Sequence, residues 1–110
     1  MLKSRTPTTL EKEWLNAAWQ VPCIVCDMYH DVSDSPAEYH HIDGKTKPDA
    51  HLNGIALCPQ HHRNKDNNKN PRWVSRHGDG RAAFELAYMP EMELLKIMRV
   101  KVDEILQRTV

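Results

Sequence analysis

Leu57-Cys58-Pro59-Gln60-His61-His62-Arg63 sets two soft metal ligands, Cys58 and His61, two residues apart and adds His62 directly after them. A Cys-x-x-His knuckle is half of a tetrahedral zinc site, and Cys23-x-x-Cys26 supplies the other half upstream. The two-residue spacer lets both ligands of a knuckle reach one ion at roughly 2.0 to 2.3 Å, and the filled d shell of zinc accepts a Cys3His set. The long segment between the knuckles is no obstacle, because loop-closure entropy grows slowly with length. Cys23, Cys26, Cys58 and His61 are therefore read as a structural zinc staple. The plain alternative is three reduced cysteines buried as small hydrophobes beside a surface histidine.

Composition favours a staple. The chain has 110 residues, 40% of them hydrophobic but only 6% aromatic, with a single phenylalanine. One domain of this size has a limited core and gains much from a metal. Three cysteines cannot all pair within the chain, and the start, Met1-Leu-Lys-Ser-Arg-Thr-Pro, lacks the apolar core of a signal peptide. The expectation is a reducing cytoplasm, zinc in place of disulfides, and no membrane partner. Fifteen basic residues balance fifteen acidic ones. That neutrality gives no support to a surface that binds nucleic acid all over, so any contact is local. The local candidate is the cationic run holding Arg63, Lys65 and Arg72, whose bland reading is a solvated loop.

Outward from the knuckles, residues 1–7 read as a flexible arm. Thr8-Thr9-Leu10-Glu11 forms a capping box, and Leu10, Trp14 and Ala18 give an apolar face to a helix over about 9–20. Trp14 and Trp19 are assigned to the core in preference to base stacking. The stretch from Asp27 to Ala37 is rich in turn formers and reads as a loop. Glu38 to Ile42 is a short strand before the Asp43-Gly44 turn, a loop carries His51, Gly54 to Leu57 is a second strand, and Cys58 opens a helix of about two turns. Arg81 to Tyr88 makes a short helix with Phe84 and Leu86 or Ala87 inward. Pro90 starts a last helix, over 90–108, with Leu94, Met98 or Ile97, Val102 and Ile105 as its inner stripe. The fold class is α+β: one domain over 1–110, whose zinc-stapled strand-strand-helix core over 23–66 is flanked by N- and C-terminal helices.

Once His61 is assigned to zinc, His40, His41 and His62 remain. Neighbours on a strand face opposite ways, so His40 and His41 divide their labour: one joins His62 on a metal, and the other faces substrate as a base. His51 and His77 are open between ligand and exposed loop histidine. The order His40-His41, then Asn53, then Leu57-Cys58-Pro59-Gln60-His61-His62 resembles the HNH endonucleases, whose fold is a ββα-metal finger. One departure is His61 where that family usually has a second cysteine. Together with His51, Arg63, the turn His77-Gly78-x-Gly80 and Phe84-Glu85, the chain is similar to the phage recombination enhancement function nucleases.

That resemblance implies a metal-dependent DNA endonuclease of low sequence specificity, working in a bacterial host cell with a RecA-type recombinase filament. His41 would be its general base and Asn53 would hold His41 in position. His40 and His62, with His77 as a further candidate, would hold a second divalent ion: magnesium, manganese or zinc. Arg63, Lys65 and Arg72 would meet DNA phosphates. A non-catalytic zinc-stapled nucleic-acid-binding module is the competing reading, but a staple alone has no use for His40, His41 and His62. The His-x-Glu deaminase and His-Glu-x-x-His protease signatures are both missing.

Overall fold

Thr8 opens the first helix, α1 (Thr9–Ala18), through the capping box read in the sequence. Thr8 Oγ1 accepts from the Glu11 amide at 3.2 Å and Glu11 Oε1 accepts from the Thr8 amide at 3.0 Å. In this computed structural model residues 8–42, 50–64 and 74–108 are described. The expected arm over 1–7 and the Asp43-Gly44 turn lie outside them, as do Lys65 and Arg72. Among the described residues no helix is long and apolar enough to cross a membrane.

The buried face of α1 is Ala17 and Ala18 with half-buried Trp14, and two residues assigned to the core stand outside it. Leu10 is 77% exposed, in the first turn beyond the edge of the core, and Trp19 is 69% exposed. Trp19 follows the last residue of α1 as its C-terminal cap and stands outside the helix's buried face.

A second helix, α2 (Ile24–Tyr29), occupies part of the stretch read as a loop. The turn formers Asp31, Ser33, Asp34 and Pro36 outweighed a short apolar run that here buries Ile24 and Val25 completely. Cys23 caps this helix, its Sγ accepting from the Cys26 amide at 3.5 Å. Asp31, at φ 56°, turns the chain away, in the left-handed region that aspartate tolerates.

Strands β1 (Glu38–His41) and β2 (Gly54–Leu57) pair antiparallel, with His40 opposite Ile55 and His41 opposite Gly54. A 3-10 turn, Ala50–Leu52, precedes β2 and carries His51. Helix α3 (Pro59–His62) follows at once, with Cys58 as its cap and Pro59 in its first position. It is one turn long, shorter than expected, because the chain leaves it at Arg63. Helix α4 (Arg81–Ala87) sends only Phe84 inward; Leu86, 90% exposed, and Ala87 face water, so that part of the expected inner face fails. Helix α5 (Glu91–Arg108) has the predicted stripe, with Leu94, Met98 and Val102 fully buried and Leu95 beside them. These helices and β2 enclose the core, so the hairpin and α3 are fixed from behind by α1, α2 and α5.

Candidate active site

Cys23 at the start of α2, Cys26 one turn on, Cys58 before α3 and His61 within it are all buried and converge. Their spacing tests the zinc reading directly. Cys26 Sγ and Cys58 Sγ are 3.8 Å apart, and His61 Nδ1 lies 3.6, 3.5 and 3.1 Å from the sulfurs of Cys23, Cys26 and Cys58. A tetrahedron built from zinc–sulfur bonds of about 2.3 Å and zinc–nitrogen bonds of about 2.05 Å has edges of about 3.8 Å and 3.6 Å. The donor set fits a structural zinc ion. Hydrogen bonding with Cys23, and then with His61, holds the Cys58 thiol well below its ordinary range against the effect of burial. Sharing that proton with Cys58, and then burial, push Cys23 up; burial pushes Cys26 up. His61 turns Nε2 away from the sulfurs toward His30 Nε2, 3.2 Å off, with the two rings stacked. A ligating imidazole commonly has its second nitrogen held this way.

His40, His62 and His77 form the second cluster, each offering one ligand atom within 4.8 Å of the others. His77 arrives there through main-chain hydrogen bonds. The end of a helix leaves carbonyls without partners inside the helix, and in α3 those of His61 and His62 accept from the amides of Arg76 and His77, both at 2.8 Å. Ser75 adds a bond from its hydroxyl to the Asn64 carbonyl at 2.7 Å. Gly78 closes the turn where no side chain fits, since a Cβ would lie 2.2 Å from the Asn64 carbonyl oxygen. His77 was one of two open readings in the sequence; folding places it with the pair on β1 and α3.

Two carboxylates lie against the cluster, one hydrogen-bonded to it and one only close to it. Glu38 Oε1 lies 2.9 Å from His62 Nδ1, which leaves Nε2 of that ring on the other side. Glu91, at the start of α5 and fully buried, sets Oε2 3.5 Å from His40 Nε2 and pairs with Arg76 through Oε1. Burial raises the Glu91 carboxyl, but His40 and Arg76 outweigh it and the net shift is downward. Burial lowers both His62 and His77 from the ordinary imidazole range, keeping them neutral and fit to ligate at neutral pH. Replacing Glu91 with glutamine keeps its size but removes its charge. Titration of Mn2+ into the zinc-loaded variant is expected to show affinity reduced roughly 10- to 100-fold, the usual effect of losing a ligand's outer partner. Unchanged affinity would restrict Glu91 to holding the fold.

His41 faces the other way, as strand alternation requires. His40 is buried at 2% exposure, whereas His41 is half-buried and sets Nε2 3.3 Å from His51 Nδ1. The Tyr39 hydroxyl donates to the His51 carbonyl at 2.8 Å and fixes that partner. Together Glu38, Tyr39, His41 and His51 border an open cleft of about 600 Å³. Asn53 touches this arrangement through its main chain: its carbonyl accepts from the Ile42 amide at 2.9 Å, while its Oδ1 accepts from Arg99 Nη2 at 2.8 Å. Arg63 lies against Glu38, with Nε 3.0 and 3.1 Å from the two carboxylate oxygens.

A family model described as recombination enhancement, RecA-dependent nuclease matches residues 7–102. The chain belongs to that family. The match spans both clusters, the first four helices and most of the last, so the zinc-competent staple and the histidine trio sit within one matched unit.

Sequence reasoning missed Glu38, Glu91, His30 and Arg76, and left His51 open. Glu38 had a signal: it lies two residues before His40 on one strand, hence on the same face. Glu91 had none, being 51 residues from His40 with only the tertiary fold to join them.

Proposed function

We propose that this chain is a metal-dependent HNH-type endonuclease that hydrolyses phosphodiester bonds in DNA with low sequence specificity, in recombination alongside a RecA-type filament. The observation that carries the reading is the trio His40, His62 and His77 beside a separate pair, His41 and His51, gathered around one strand-strand-helix unit. A zinc-bound binding module needs the first cluster alone and gives these side chains no task.

In this reading His40, His62 and His77 hold the second divalent ion, magnesium, manganese or zinc. When bound, that ion supplies positive charge to the phosphate oxygens on which negative charge grows. His41 draws a proton from the attacking water. His41 Nε2 and His51 Nδ1 share a hydrogen bond that sets the orientation of the His41 ring toward that water. His51 thus acts as the orienting partner, and Asn53 steadies the backbone beside them. Arg63, Lys65 and Arg72 meet backbone phosphates, contacts that position DNA without reading its sequence. The setting is the cytoplasm of a bacterial host, for a protein of phage or prophage origin.

The test is nicking of supercoiled plasmid and of RecA-coated single-stranded DNA by zinc-loaded protein, with magnesium, manganese or zinc added. Metal-dependent cleavage is expected. Full zinc content with no cleavage in any ion, with or without RecA, would leave a nucleic-acid-binding module.

A further inference from the structure

Trp19 is the bulkiest side chain left exposed among the described residues. A single exposed apolar group is ordinary on a protein surface. Trp19, however, lines the same open cleft as His41 and His51, and Leu15 and Ala37 add apolar wall to it. The cleft's acidic residue, Glu38, is paired with Arg63 and His62, and the first of these pulls its carboxyl lowest, so its charge is largely met from within. The Tyr39 hydroxyl is committed to the His51 carbonyl. What remains toward solvent is an aromatic face with few groups able to read a base edge. That is the chemistry of a stacking platform, which accepts any base because every base has a π face.

We propose that this cleft seats one unstacked nucleobase of the DNA strand being cut, with Trp19 as its platform beside His41. The proposal rests on the endonuclease reading and deepens it, because a base paired and stacked within a duplex cannot enter. The substrate form it selects is single-stranded or locally opened DNA.

The experiment follows fluorescence anisotropy of a labelled single-stranded oligonucleotide on zinc-loaded protein with no other divalent ion added. It compares the wild type, Trp19→Ala and Trp19→Phe, and measures cleavage in parallel with metal. Trp19→Ala is expected to weaken binding roughly 5- to 150-fold, the range for loss of one stacked base. Trp19→Phe recovers most of that affinity. On a strand of equal length with abasic sites throughout, the wild type and Trp19→Ala bind alike, and on a duplex they differ little. Equal single-strand binding by Trp19→Ala and a wild type that still cuts would overturn the subsite and leave the nuclease standing. Base-dependent binding without cleavage in any metal would keep the subsite and remove the nuclease. An equal loss on the abasic strand, or no saturable binding by the wild type, would also overturn it.

Discussion

Replacing Cys23 with serine is expected to unfold the protein at ordinary temperatures and release its zinc. Cys23 is fully buried, caps α2, and faces His61 across the staple. Binding of structural zinc is worth about 10–16 kcal/mol in small zinc domains, which is as large as the whole stability of a domain, about 5–15 kcal/mol. The core supplied in its place is modest, with one phenylalanine and no tryptophan fully buried among the described residues. Serine keeps a hydroxyl that can cap the helix, so the capping bond survives and the loss falls on the metal site. The measurement is zinc content beside a melting curve. An unaltered melt with full zinc would remove the staple; an unaltered melt with zinc lost would show that the core holds without it. Strong chelation of the wild type should reproduce the unfolding, since the same free energy is withdrawn.

The staple was legible because both knuckles are local: two residues separate the ligands, and the chain alone brings each pair together. The hairpin and the last helix were legible for the same reason, through periods of two and 3.6. Failures came where a local signal met a tertiary one. In α2, four turn formers downstream masked a buried apolar run that only packing against β2 rewards. Trp19 follows the apolar residues of α1 in sequence, yet the helix ends at Ala18 and carries its ring out to the cleft. His77 joins His40 and His62 through main-chain hydrogen bonds, and Glu91 lies buried against His40, both from positions distant in sequence to which no spacing rule applies. The ligand types were therefore readable one cluster at a time, whereas the shell that orients them was not.

His41→Ala is expected to cut the cleavage rate by about 10²- to 10⁴-fold, the usual share of a general base, while melting temperature and zinc content stay close to wild type. The separation is physical. His41 is half-buried on the face of β1 away from His40, and the staple does not touch it. His51→Ala should give a smaller loss, because it removes only the partner at 3.3 Å that fixes the base's orientation. A pH profile distinguishes a base from a residue that merely shapes the cleft. If an imidazole removes the proton, the wild-type rate climbs between roughly pH 5 and 8 as that group deprotonates. Protonation of the metal ligands would also slow the enzyme; burial lowers His62 and His77, so those two ligands take up protons below the ordinary imidazole range. The residual rate of His41→Ala should lack the climb. A flat wild-type profile, or a variant that keeps the same slope, would move the base elsewhere and leave His41 as a wall of the cleft.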